Sequence, residues 1–257
     1  MQVNTTCTIL TKDAPNPHAI RFTLDVGNMV RESFASPGQF VHIKCGEERL
    51  LRRPISVCAC QEGSPDTLTI VFEVRGSGTD WLARREPGDK LDVLGLLGHG
   101  FRMDSKGRYL LVGGGIGVPP MLGCAQYAPQ RCDMVVGARD RDHVLLLHEF
   151  EAACATVAVA TEDGSLGAKG FVTGPMEQLL RENRYDAVLA CGPKPMLKAV
   201  WELAQAYDTP CQVSMEERMA CGVGACLGCA TPMTDGTMKH VCKDGPVFDA
   251  SEVDWNG

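Results

Sequence analysis

Four of the chain's thirteen cysteines crowd into one short C-terminal stretch, spaced Cys221-x4-Cys226-x2-Cys229-x12-Cys242. Thiolates gathered this way are ligands for soft metal centres, and C-x4-C-x2-C with a distal cysteine is the spacing of a plant-type [2Fe–2S] cluster. Gly222, Gly224 and Gly228 let the backbone fold tightly around a compact centre with amide donors turned toward the sulfides. Such donors stabilise the charge of four thiolates and raise the reduction potential. Structural zinc also takes four thiolates, but its ligands usually arrive as two close pairs. Here only Cys226 and Cys229 lie that close. The distal interval is shorter than in plant ferredoxins, so the spacing is a variant of that pattern. The remaining cysteines, Cys7, Cys45, Cys58, Cys60, Cys124, Cys132, Cys154, Cys191 and Cys211, are scattered, as small buried hydrophobes are.

A second constellation follows the apolar run Tyr109-Leu110-Leu111-Val112: Gly113-Gly114-Gly115-Ile116-Gly117-Val118-Pro119-Pro120-Met121. Strand, glycine turn and helix start together present backbone N–H groups to a pyrophosphate. Proline at the first helical position forfeits no hydrogen bond. The match is G-x-G-x-x-P rather than G-x-G-x-x-G, which leaves open a tight turn with no ligand. Another turn, Cys191-Gly192-Pro193-Lys194-Pro195-Met196, falls at the C-terminal end of a strand, the usual ligand edge of an open parallel sheet. There Cys191 is either a neighbour of a bound nicotinamide or a packing thiol. Gly137-Ala138-Arg139-Asp140-Arg141 carries opposed signals. Asp140 suits a ribose 2′-hydroxyl, while Arg139 or Arg141 suits a 2′-phosphate, so NAD and NADP both stay open. Finally, Arg53-Pro54-Ile55-Ser56 places a cation and a hydroxyl close together on an extended chain, a useful pair for a flavin. Alone, those four residues read better as a surface arginine beside a turn.

The elements that must position these groups change along the chain. Residues 3–10, 19–24, 39–45, 55–60, 67–73 and 90–94 are β-rich, separated by turn signals such as Ser36-Pro37-Gly38 and Glu86-Pro87-Gly88-Asp89. Short strands at this spacing predict a barrel or sandwich, with a short helix at 80–85. From residue 109 the pattern alternates. Buried-type strands at 109–112, 134–136, 156–160 and 187–190 are interleaved with helices at 119–126, 147–153, 175–182 and 195–206, which predicts βαβ units around a parallel sheet. From Ser214 the chain is rich in Gly, Cys and Met without periodicity. A segment so short and irregular needs a staple. The expected division is 1–102, 103–213 and 214–257.

Composition bounds the function. The chain has 257 residues, 44 % hydrophobic and 22 % charged, values of an ordinary globular protein. A formal net charge of −7 argues against a nucleic-acid partner. No run approaches the ~20 apolar residues of a membrane span, and residues 1–10 show no signal-peptide pattern. A cytoplasmic chain with reduced thiols is therefore expected.

An R-x-[YFI]-S strand in a barrel, a G-x-G-x-x-P unit and a Cys-Gly-Pro turn occur here in the order of the ferredoxin–NADP⁺ reductase superfamily. With the cysteine motif added, the chain resembles the electron-transfer subunits of dihydroorotate dehydrogenase B. The matching stretches include 51–57, Val71-Phe72, Gly78-Thr79, 113–121, 161–173, 191–198, Ser214-Met215-Glu216-Glu217-Arg218-Met219 and Cys242-x-Asp244-Gly245-Pro246-Val247-Phe248. Leu96 and Glu73 depart from it, standing where proline and a basic residue are frequent. The resemblance implies an N-terminal antiparallel β-barrel for FAD, a central Rossmann-like parallel α/β domain for NAD and a small irregular C-terminal [2Fe–2S] domain. It implies that Arg53, Pro54, Ile55 and Ser56 hold the flavin, with Val71, Phe72 and Glu73 beside it and Gly78 and Thr79 on its pyrophosphate. Gly113, Gly114, Gly115, Gly117, Cys191, Gly192 and Pro193 would serve NAD; Cys221, Cys226, Cys229 and Cys242 would ligate the cluster. The implied partner is an FMN-containing catalytic subunit that oxidises dihydroorotate, in a heterotetramer, with electrons passing through cluster and FAD to NAD⁺. Two rival expectations are a flavin/iron–sulfur reductase subunit with another partner, of the NAD(P)H–ferredoxin or sulfur-reductase type, and a zinc-stapled nucleotide-binding regulatory module.

Overall fold

The computed structural model describes residues 3–256. Strands β1 (Val3–Asn16) and β2 (Ala19–Asp25) form a hairpin, and helix α1 (Met29–Ser33) follows it. Next come β3 (Phe40–Ile43), β4 (Arg53–Gln61), β5 (Thr67–Glu73), helix α2 (Ser77–Ala83) and β6 (Lys90–Leu97). The six strands close into an antiparallel barrel in the order β1-β2-β5-β4-β3-β6. Phe22, Leu24, Ile43, Leu68, Ile70 and Leu91 fill its interior.

Every barrel strand expected from the sequence is present. The helix expected at 80–85 begins earlier, because Thr79 Oγ1 accepts the amides of Arg75 and Gly76 and turns the chain sharply out of β5. Helix α1 was not expected. Five residues give no readable period, and a distant residue holds it: Asp66 accepts the Arg31 amide at 3.1 Å and pairs with its guanidinium at 2.7 Å.

The second body alternates as the sequence predicts. It runs β7 (Tyr109–Gly114), α3 (Pro119–Tyr127), β8 (Cys132–Ala138), α4 (Leu147–Ala153), β9 (Thr156–Thr161), β10 (Ala168–Lys169), α5 (Thr173–Glu182), β11 (Ala187–Cys191), α6 (Lys194–Ala206) and β12 (Cys211–Ser214). Every residue of β7, β8 and β11 is buried, as in a parallel sheet covered on both faces. The chain runs outward from β7 in both directions, in the order β10-β9-β8-β7-β11-β12, with one strand of the C-terminal segment beyond β12. The crevice between the C-terminal ends of β7 and β11 is therefore the switch point at which such sheets bind ligands.

The C-terminal segment is mostly loop, with a small hairpin of β13 (Ala230–Pro232) and β14 (Met238–His240). Its last strand, β15 (Val247–Asp249), joins the large sheet antiparallel to β12, with Ser214 opposite Val247. Three-residue strands carry no periodicity, so the sequence could not announce this attachment. No described helix is long and apolar enough to cross a membrane.

Candidate functional site

All three regions wall one cleft of about 220 Å³. The barrel contributes Phe40, Pro54, Ile55, Ser56, Val71, Phe72, Glu73, Arg75 and Thr79; the glycine turn contributes Ile116 and Pro120; the C-terminal segment contributes Ser214, Met215, Glu216, Glu217, Met219 and Pro246. Consecutive residues at the ends of β4 and β5 form the barrel wall. Ile55 is buried while Ser56 stays half-open on β4, and Val71 and Phe72 are buried at the end of β5.

Two of the residues expected beside the flavin stand just behind the lining. A Cβ on Gly78 would overlap the Arg53 guanidinium, which is therefore laid across the start of α2. Arg53 Nη1 also donates to the Leu51 carbonyl at 2.5 Å. Arg75 was missed by the sequence reading. It pairs with Glu73 at 2.9 Å and is the single cation among the lining residues, against the carboxylates of Glu73, Glu216 and Glu217. The available signal was its place two residues beyond Glu73, the period of an extended chain. Glu216, in the run to which the sequence alone assigned no role, has its pKa raised by burial, opposed by the charge of Arg75.

The glycine turns back onto each other. Gly113 pairs in register with Cys191, and a Cβ on Gly117 would overlap the Cys191 carbonyl. A Cβ on Gly114 would strike Met196 Sδ. Gly115 differs: its φ is +54° and a Cβ there would project into open space, with nothing within 4 Å. Cys191, Gly192 and Pro193 do not line the cleft. The Cys191 thiol is buried, and burial, then the Glu216 charge, push its pKa up to about 12. Asp140 is already engaged. It caps the following turn by accepting the His143 amide at 3.2 Å, and it meets His143 Nδ1 at 2.6 Å and Arg139 Nε at 3.2 Å.

The four clustered cysteines come together as two pairs. Cys226 N–H donates to Cys221 Sγ at 3.4 Å, and Cys229 Sγ lies 3.3 Å from Cys242 Sγ. Gly224 N–H reaches across to Cys242 Sγ at 3.1 Å. Among the described residues, no group of three or more His, Cys, Asp or Glu side chains is arranged around one metal ion. Pairing two by two suits a two-iron centre, with two thiolates to each iron, better than a single tetrahedral zinc. The donor set fits as well. Burial opposes ionisation of Cys221, but the N–H groups of Val223 and Cys226 outweigh it and bring the thiol down to about 6. Beneath this loop lies His42, wholly buried on β3. Burial, then the Arg52 charge, lowers it to about 4.

A barrel, a parallel α/β unit with its glycine turn at the switch point and a C-terminal segment that walls their shared cleft before running into a cysteine loop define a reductase of the ferredoxin–NADP⁺ reductase type with an iron–sulfur appendage. Residues 216–254 match the family model for the iron–sulfur cluster binding domain of dihydroorotate dehydrogenase B, and residues 111–202 match an oxidoreductase NAD-binding domain. The chain is 44 % identical over 242 residues to the dihydroorotate dehydrogenase B (NAD(+)) electron transfer subunit of Geobacillus thermodenitrificans (strain NG80-2), covering 90 % of this chain and 92 % of that one. Its likeness to the corresponding subunit of Desulforamulus reducens (strain ATCC BAA-1160 / DSM 100696 / MI-1) is 39 % over 251 residues, 94 % of each. Among solved structures, an NADH-dependent reduced ferredoxin–NADP oxidoreductase superposes with a TM-score of 0.87 at 33 % identity, covering 97 % of this chain and 90 % of that one. The chain belongs to the family of dihydroorotate dehydrogenase B electron transfer subunits.

Proposed function

We propose that this chain is the electron-transfer subunit of a cytoplasmic dihydroorotate dehydrogenase in pyrimidine biosynthesis. It holds FAD and a [2Fe–2S] cluster, binds NAD, and assembles with an FMN-containing catalytic subunit as a heterotetramer. The observation that carries this reading is the single cleft walled by the barrel, the glycine turn and the segment leading into the cysteine loop. When bound, FAD would exchange one hydride with a nicotinamide and single electrons with an iron–sulfur centre.

The chain's own residues supply the setting. Ile55, Val71 and Phe72 form an apolar wall that keeps water from the flavin ring. Ser56 offers a hydroxyl at its edge, and Arg53 and Arg75 supply cations for its phosphates. Glu73 stays in the wall because Arg75 balances its charge. The amides of Gly78 and Thr79 hold the flavin pyrophosphate. The turn from Gly113 to Gly117 holds that of NAD ahead of α3, and Cys191-Gly192-Pro193 supports it from behind. Cys221, Cys226, Cys229 and Cys242 ligate the cluster. Residues 1–102, 103–213 and 214–257 act as the flavin, nucleotide and cluster units. Dihydroorotate oxidation is assigned to the partner, in keeping with the relatives' name as the electron transfer subunit of dihydroorotate dehydrogenase B.

The likeness to an NADH-dependent ferredoxin–NADP oxidoreductase favours one second reading: the same cofactors serving a different redox partner. The experiment separates the half-reactions. The purified chain should contain about two irons and one FAD. It should pass electrons from NADH to a dye and leave dihydroorotate untouched. Adding the FMN-bearing subunit should couple dihydroorotate oxidation to NAD⁺ reduction. Oxidation of dihydroorotate by the isolated chain, coupling without iron, or a colourless protein with stoichiometric zinc would each refute the proposal. Absence of coupling with the FMN-bearing subunit would favour the second reading.

A further inference from the structure

Neither ring nitrogen of His42 has a hydrogen-bond partner, and both are buried. Interior polar groups are paired because desolvation without a partner is costly, so an exception needs a reason. The position of His42 supplies one. On β3 it stands opposite Pro54 of β4, within the segment assigned to the flavin. Phe40, two residues back on the same strand, lines the cleft and meets the His42 ring edge-on at 6.5 Å. On the other side lies the cysteine loop, where a Cβ on Gly222 would stand 2.6 Å from His42 Nδ1. Cleft, Phe40, His42 and the residue after Cys221 thus follow one another in packing order.

The ring's chemistry suits a donor. Nδ1 is the nitrogen turned toward the cysteine loop, since it is the atom a Cβ on Gly222 would meet first. A neutral imidazole carries one N–H donor and one acceptor nitrogen. Cys221 Sγ already draws amides from Val223 and Cys226, so the loop is organised by donors converging on this ligand.

We infer that His42 is a positioning residue for the iron–sulfur centre: its buried imidazole joins the flavin strand to the cysteine loop and donates its one N–H to the Cys221 end of the cluster. This rests on the reading of the four cysteines as cluster ligands. A donor aimed at that end stabilises the more negative, reduced cluster and raises its potential. Gly222 is required at its position because a side chain would displace the ring.

The test uses the holoprotein. His42→Phe keeps an aromatic ring and removes the N–H; His42→Gln restores a donor. The expected result is wild-type iron and FAD content in His42→Phe with shifted g-values of the reduced cluster. Its midpoint should fall by the ~59 mV that changes a one-electron equilibrium tenfold, and His42→Gln should recover at least half of that shift. Iron-replete His42→Phe with unchanged midpoint and g-values overturns the inference and leaves the cluster reading standing. An iron-free wild-type chain overturns both. If His42→Phe does not hold iron, pulsed EPR on ¹⁵N-histidine-labelled His240→Asn protein decides, the substitution removing the histidine two residues before Cys242. A weak histidine nitrogen coupling to the reduced cluster supports the inference, and its absence overturns it.

Discussion

The glycine turn after β7 and the cysteine loop after residue 220 are both glycine-rich and both proposed as ligand cradles, yet they are held in different ways. The turn is fixed by its own protein. Gly113 lies against Val118, Gly114 against Met196 and Gly117 against the Cys191 backbone, and α3 closes over it with buried Met121 and Leu122. The loop is supported at Gly222 by His42 and at Gly224 by Lys243, but Gly228 meets only Cys226 Sγ. Cys226, Leu227 and Gly228 are exposed, and the closest contacts of its thiols are with one another and with loop amides. The first cradle is formed before its ligand arrives; the second is completed by its ligand. Preorganisation suits a nucleotide that must come and go, whereas a resident cluster can serve as the staple.

The largest effect that would break this contrast concerns the cluster. Cys226→Ser should lose the iron, because serine offers a harder oxygen in place of a thiolate. The 219–229 loop should then become the first site of limited proteolysis, and coupling to the partner should disappear. Cys7→Ser, at a thiol buried inside the barrel, should keep its iron. Equal iron loss in both variants would show that the loop is not the ligand-dependent region.

A smaller effect is expected at Gly117. The added methyl of Gly117→Ala has no space beside the Cys191 carbonyl, so β7 and β11 must part at their C-terminal ends. Overpacking of this kind costs on the order of 1–3 kcal/mol. NADH-dependent dye reduction should fall about tenfold or more while iron content holds. Stopped-flow flavin reduction and iron analysis together check it.

Gly115→Ala sharpens the comparison further. The new methyl meets nothing in the protein, and the cost is that of a left-handed φ, about 1 kcal/mol. Thermal stability should drop slightly. If the turn holds NAD as proposed, the KM for NADH should rise more than kcat falls, since the new methyl projects into the space the nucleotide would occupy. An unchanged KM would remove Gly115 from the nucleotide site.

The smallest effect is on acid stability of the preformed body. The side-chain hydrogen bond from Arg31 holds the Asp66 carboxyl down at about 2. A carboxyl lowered by folding contributes stability above its ordinary pKa, and loses it as pH falls toward and through the folded value. Between about pH 4 and pH 2 the wild-type barrel should therefore lose stability more steeply than Asp66→Asn, measured by circular dichroism. Parallel curves would assign the acid limb to other groups.

Much of this was legible in the residues. The cysteine spacing, the glycine turn after an apolar run and the order of strands and helices are local signals, each carried by a few consecutive residues with their own conformational preferences. Thr67–Glu73 and Leu147–Ala153 appear where the periodicity places them. Helix α1 and strand β15 do not announce themselves, because each is too short for a period and is held by a partner far away in sequence.

By itself the sequence determined the fold class, the three regions and the four candidate cluster ligands, since these depend on residue type and spacing alone. Tertiary structure decided which groups share a space. It brought Arg75 and Glu216 into one cleft, tied Asp140 to its own turn, set Cys191 behind the glycine turn rather than in the cleft wall, and slid His42 beneath Gly222. Apart from the Asp140 turn, those meetings join residues tens to hundreds of positions apart. Only packing of the barrel, the sheet and the C-terminal segment against one another decides them, because no local preference encodes a distance between two folded surfaces.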